Sequence, residues 1–395
     1  MTAVSAVLQR LAGTAPPTVR LVVLVVAVVH GAYVLAAGVT LASDSAGYAY
    51  WSERLLESGF DYAMVMADAK TVFPPILYVL FATLLALLRL AFGSGWMAAL
   101  VALNFAAHVA LGALVVRMAV RLTRSGPAGW GALLLYLGCF DLLVWVPIIL
   151  SDATFVFLAF AIFTLAAARI LGDSTGWLKV VVPAAAGVFY RPTGMVLLPD
   201  LAWAIYLSRS GTKAVRRGPM LAAIAAGIVA LTAAFAWFMQ DPGRWPFAAF
   251  ASSFQSTAAN YALGEVVSGR LETFHPPPRQ LVDFMLISAD RLVHFFAFDA
   301  AAFSRAHTIV ELVFLLPCYA LAAWLGIALW RGRTGFAAPE RKVFLAAFGA
   351  LFCYAVFHGL VQVDYDWRYR VPILPHLILL AAGGIADLAR RLEAR

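Results

Sequence analysis

Residues 21–41 read LVVLVVAVVHGAYVLAAGVTL, an unbroken run without Asp, Glu, Lys or Arg. A helix crossing hydrocarbon needs about 20 mainly apolar residues. The apolar core of a cleaved secretory signal is only about 7–15 residues long. The run is therefore read as a retained spanning helix. Arg10 and Arg20 precede it. Basic residues collect on the cytoplasmic side of membrane proteins, so the segment before the run is placed inside.

A second stretch, 76–92, ILYVLFATLLALLRLAF, decides how the rest of the chain is threaded. Its length lies at the short end of the spanning range, about 17 residues. Counted as a span, it would turn Arg117, Arg121 and Arg124 outward, and Arg209, Lys213, Arg216 and Arg217 with them. Laid at the outer face, or dipping into it, it leaves those clusters inside together with Arg169, Lys179 and the basic residues of 331–342 and 390–395. The charge rule selects the second arrangement.

Composition agrees with a membrane setting. Of 395 residues, 63% are hydrophobic and 13% charged, against about 45–50% and about 25% in ordinary soluble domains. No soluble core of this length buries so much apolar surface. A soluble enzyme, a disordered chain and a nucleic-acid binder are excluded. The net charge of +8 is spread through apolar sequence and forms no basic patch. Cys139, Cys318 and Cys353 all lie in apolar stretches and read as core residues, not as a disulfide framework. No Cys/His cluster has metal-ligand spacing. No cofactor is expected, and the sequence offers no support for a divalent metal.

Nine further spans are read at about 96–117, 128–149, 153–171, 178–190, 193–208, 218–239, 308–330, 342–361 and 372–389. The expectation is an all-α polytopic protein of about ten transmembrane helices in one membrane domain, 1–395. The first span (20–41) leads into a first outer loop (42–95), then spans two to seven (96–239), a large outer loop (240–307) and the last three spans (308–389). Both termini face the cytoplasm. Interfacial helices are expected in the first and fourth outer loops, since Tyr48, Trp51, Leu55 and Leu56 recur at helical spacing, as do the apolar residues of 283–303.

Charges near hydrocarbon are costly and usually mark a partner or a site. The exceptional ones gather at the outer ends. Asp44, in Ser43-Asp44-Ser45, reads as an N-cap or as a carboxylate held at the bilayer edge to act as a base. Asp152, in Ser151-Asp152, reads either as a helix start or as a second carboxylate facing the same cavity. Arg191, in Tyr190-Arg191-Pro192-Thr193-Gly194, needs an anion: a carboxylate such as Asp152, or a lipid phosphate. Arg368 and Arg370 stand in Asp364-Tyr365-Asp366-Trp367-Arg368-Tyr369-Arg370-Val371-Pro372, suited to a phosphate. In the long outer loop, His275 and Arg279 flank a rigid proline run.

The order of these features resembles the GT-C superfamily of polyprenyl-phosphate-sugar-dependent glycosyltransferases. That superfamily includes protein O-mannosyltransferases, the aminoarabinose transferase of lipid A and the oligosaccharyltransferase catalytic subunit. The resemblance runs from Asp44 and Tyr48 through Phe73-Pro74-Pro75-Ile76, the Arg117–Arg124 turn, Ser151-Asp152 and Arg191-Pro192-Thr193-Gly194 to Arg368-Tyr369-Arg370-Val371-Pro372. The Asp-Glu pair of O-mannosyltransferases is missing, because Ser45 follows Asp44.

The resemblance implies an inverting transferase acting at the outer face of a bacterial cytoplasmic membrane. Its donor would be a polyprenyl-phosphate-linked sugar and its acceptor a hydroxyl on a glycan, lipid or protein. Asp44 would be the base, with Tyr48 and Asp152 in support. Arg191, Arg368 and Arg370 would hold the donor phosphate, and His275 and Arg279 would contribute loop contacts. Two other readings stay open at this stage. One is an O-antigen-ligase-like polymerase relying on loop Arg and His residues. The other is a lipid or solute transporter, although no internal repeat is visible.

Overall fold

The computed structural model describes residues 14–66, 75–210, 273, 275, 281–299, 303–361 and 367–394. Among them all regular structure is helical. Six stretches are long and apolar enough to cross a membrane: Val19–Ala37, Val79–Thr123, Asp152–Ile170, Arg305–Trp330, Ala338–Gly359 and Trp367–Glu393. They mark a membrane-embedded protein. The expected span at 218–239 lies outside the described residues.

Helix α1 (Val19–Ala37) is capped by the Thr18 hydroxyl, which accepts from the Leu21 amide, and ends at Gly38, whose positive φ of 64° suits glycine. Then come α2 (Ser45–Glu57), the short α3 (Tyr62–Met66) and a 3-10 turn, Pro75–Tyr78. This turn runs straight into α4 (Val79–Phe92), and Gly93–Gly95 separates α4 from α5 (Trp96–Thr123). So 76–92 is helical over most of its length. It packs along α2 and is tied to it by Arg89, which donates to the Ala49 carbonyl at 3.1 Å. The apolar face of α2 is accordingly covered by protein. Tyr48, Trp51 and Leu55 are buried, with Tyr78 and Phe81 packed ring to ring against Tyr48.

The expected span 128–149 is shorter in the structure. α6 (Gly126–Gly138) stops at Cys139, a one-turn α7 (Phe140–Leu143) follows, and 144–151 is irregular. Pro147 cannot donate a backbone hydrogen bond and disfavours helix for the residue before it. The freed carbonyls of Val146 and Ile148 are taken by the buried Asn104 amide of α5 at 3.2 and 3.3 Å. α8 (Asp152–Ile170), α9 (Leu178–Val188), a 3-10 turn (Pro192–Val196) and α10 (Leu197–Arg209) complete the first part. α9 and α10 are short, with a break at 189–191.

Later come α11 (Leu281–Phe295), α12 (Arg305–Trp330), α13 (Ala338–Val361), a 3-10 segment (Trp367–Ile373) and α14 (Leu374–Glu393). α14 is the axis of the bundle, packed by α5, α6, α12 and α13 and buried almost throughout. A buried polar chain links α1, α5 and α6: His30 Nδ1 lies 2.7 Å from His108 Nε2, and Tyr136 Oη lies 3.1 Å from His108 Nδ1.

The bundle has two chemically distinct ends. At one, Arg121 pairs with Asp173, Arg124 approaches Glu340, and Arg390 donates to the Thr123 carbonyl. At the other end, α2, the irregular 144–151, the start of α8, the 189–191 break and the 3-10 segment before α14 converge.

Candidate functional site

Backbone pairing brings this second end together. Thr40 and Ile148 form a parallel bridge: the Thr40 amide donates to Pro147 at 2.9 Å, and the Ile149 amide donates to Thr40 at 3.1 Å. Ser45 adds a side-chain clamp, its hydroxyl donating to the Ile149 carbonyl at 2.9 Å. The segment after α1 is thereby fixed to the segment before α8, and Asp44 and Asp152 are carried to one place. On the far side, the Leu80 amide donates to the Phe189 carbonyl at 3.0 Å and draws in the 189–191 break.

Two acid–arginine pairs result. Asp44 occupies the N-cap position of α2 but makes no capping bond. Its Oδ2 instead accepts from Arg368 Nη1 at 2.8 Å, and both side chains keep some exposure, 16% and 17%. Asp44 thus stands at the N-cap position while its side chain is held by Arg368 and not by the helix end. Asp152, in the first turn of α8, is ion-paired with Arg191. Arg191 Nη1 also donates to the Ser151 hydroxyl at 3.3 Å. This second pair is deeply buried, so it is an internal ion pair, while the first stands at a rim.

Tyr78 is close to both pairs. It feels the charges of Arg191, Arg368 and Asp152, and it is hydrogen-bonded to Tyr48. Burial raises the phenols of both tyrosines above their ordinary value, and for Tyr48 the neighbouring Tyr78 adds to the rise. Both stay neutral hydrogen-bonding groups. Burial alone would lower the Arg191 guanidinium, but the Asp152 charge holds it above its usual value, so it remains a fixed cation.

Arg370, two residues after Arg368, turns elsewhere. It is fully buried, donating from Nη2 to Asp141 Oδ2 at 2.9 Å and to Glu311 Oε2 at 2.8 Å, and from Nη1 to the Ala297 carbonyl. The structure thus separates the two arginines that the sequence grouped on one phosphate. Trp367 stacks near Trp145 with ring centroids 4.6 Å apart, docking the 3-10 segment on the irregular 144–151. His275 pairs with Asp290 of α11 at 3.0 Å, and His294 approaches the same carboxylate at 3.4 Å. Arg279 lies outside the described residues.

Tyr78 and the Asp141–Glu311–His307 group are absent from the sequence-based site. Tyr78 looks like one more aromatic in an apolar run. Asp141 and Glu311 each look like an isolated charge inside a span. Only the fold brings them together. No known protein family, curated protein or solved structure matches the chain.

Proposed function

We propose that the protein is a membrane glycosyltransferase of the GT-C kind. It would move a sugar from a polyprenyl phosphate to an acceptor hydroxyl at the outer face of a bacterial cytoplasmic membrane, in a bundle of about ten spans. The observation that carries the reading is the convergence at one end of the bundle of Asp44–Arg368 and Asp152–Arg191, with Tyr78 near enough to feel charges of both.

The donor's isoprenoid tail stays in lipid, so its phosphate lies at the bilayer edge, level with the partly exposed Arg368. The incoming phosphate competes with Asp44 for that guanidinium, since arginine pairs with phosphate as well as with carboxylate. Asp44 is thereby released to accept a proton. The acceptor oxygen attacks the anomeric carbon while the bond from that carbon to the phosphate oxygen breaks. The bonding pair leaves on the lipid phosphate and the hydroxyl proton passes to Asp44, with inversion. The leaving group is already an anion and needs no acid. Arg368 and Arg191 stabilise its charge. Asp152 keeps Arg191 in place, and the Tyr48 and Tyr78 hydroxyls orient the acceptor.

The test is turnover of purified protein in lipid with polyprenyl-phosphate mannose, glucose and arabinose as labelled donors. Wild type should release polyprenyl phosphate from one of them, and Asp44→Asn should lower that release at least ~10³-fold while donor binding persists. An Asp44→Asn protein as active as wild type overturns the assignment.

A further inference from the structure

The buried group around Arg370 has a geometry that an ion-pair network alone leaves incomplete. Arg370 Nη2 holds one oxygen of each carboxylate, Asp141 Oδ2 and Glu311 Oε2. The other two oxygens, Asp141 Oδ1 and Glu311 Oε1, are buried without a hydrogen-bond partner, and so is His307 Nε2. These three atoms point at one another: all lie within 4.8 Å, with His307 Nε2 3.7 Å from Asp141 Oδ1, too far for a hydrogen bond. Asp141 and Glu311 are fully buried.

The imidazole is aimed by its surroundings. The Phe303 ring stacks on it with centroids 3.6 Å apart, and Trp367 and Phe140 meet it edge-on at 5.1 and 5.4 Å. His307 and Glu311 sit four residues apart on α12, hence on one face of the helix, and Asp141 reaches them from α7.

We infer that Asp141, His307 and Glu311 form a site for one divalent transition cation, zinc or manganese, with Arg370 holding the outer oxygens of both carboxylates. With both carboxylates ionised, one arginine leaves a single uncompensated negative charge in a buried place, which is costly unless countered. A divalent cation bound through Asp141 Oδ1, Glu311 Oε1 and His307 Nε2 outweighs that charge, leaving one net positive charge, and satisfies all three orphaned atoms at once. A mixed oxygen and imidazole set suits zinc or manganese better than calcium or magnesium, which favour all-oxygen shells. Contraction of the ligand atoms to roughly 3.4 Å separations would give tetrahedral bonds of about 2.1 Å. An arginine on the far oxygens is the outer support that fixes ligand direction in metal sites. The alternative occupant is a proton shared by the two carboxylates.

The inference is independent of the proposed transferase chemistry, and its test reads binding, not turnover. Detergent-purified protein is stripped with chelator and titrated with zinc or manganese chloride alone. Bound metal is counted by elemental analysis and unfolding temperature is recorded. Wild type should take one cation per chain and melt at a higher temperature with it. Glu311→Gln and His307→Gln should each bind at least ~10-fold more weakly. His307→Gln leaves the Arg370 contacts in place, so it reports on the site even if Glu311→Gln folds poorly. Absence of binding by wild type at micromolar metal overturns the inference in favour of the shared proton. Binding by His307→Gln equal to wild type overturns it too, since the metal would then sit elsewhere.

Discussion

Asp44 and Asp152 look alike in sequence, each an acid following a serine at the end of an apolar run, yet their surroundings give them different energetic roles. Asp152 and Arg191 are only 4% and 7% exposed. Removing one partner from such a pair strands a buried charge, at about 3–5 kcal/mol. Asp44 and Arg368 are partly solvated, where a pair contributes about 1 kcal/mol or less. Asp152→Asn should therefore lower the unfolding temperature clearly, and Asp44→Asn should leave it nearly unchanged. Thermal unfolding of the two variants in the same detergent decides this, and equal destabilisation would contradict the energetic difference expected from the unequal burial of the two pairs. The two acids were legible in the sequence because each interrupts apolar residues. Their partners were not, because pairing Asp44 with Arg368 and Arg370 with Asp141 depends on which way two arginines of one 3-10 segment point. Sequence spacing says nothing about that.

At the level of elements, the break between α9 and α10 rests on an unusually close backbone approach. A Cβ at Gly194 would lie 1.9 Å from the Gly187 carbonyl oxygen. That carbonyl already accepts from the Tyr190 and Arg191 amides at 3.2 and 3.3 Å. Gly194→Ala must push the 3-10 turn away from the end of α9 and move Arg191 with it. The expected outcome is loss of Asp152–Arg191 geometry, seen as a lower unfolding temperature and, on the proposed function, weaker donor binding. Wild-type stability in Gly194→Ala would show that the turn adapts without cost. The long spans were easy to read, since about 20 apolar residues admit few other structures in a membrane. The elements that build the site were harder. Hydrophobicity alone did not show that 128–149 ends its helix at Gly138, because Leu142, Val144 and Val146 continue the apolar pattern through the irregular turn. Nor did it show that α2 keeps its aromatic face against α4. Amphipathic spacing reads the same whether lipid or protein covers it.

Over the whole molecule, the acid–arginine end and the basic end lie on opposite ends of α5 and α8. The bias of basic residues toward the cytoplasm predicts that the former faces outward. Single cysteines test this in a background with the three native ones replaced. Glu57→Cys, exposed at the last residue of α2, should react with a membrane-impermeant maleimide in intact cells. Ser174→Cys, exposed between α8 and α9, should react only after permeabilisation. The reverse pattern would invert the threading and put the site in the cytoplasm. The length of chain between partners also matters while the protein is being made. Asp44 and Arg368 are 324 residues apart, and a ribosome working at about 5–20 residues per second needs roughly 16–65 s to supply the second after the first. Through that interval the Thr40–Ile148 bridge is the earlier of the two ties to form. The nascent first loop can thus be seated on its neighbour while its charge is still unmatched, and the late arrival of Arg368 becomes the step that closes the site.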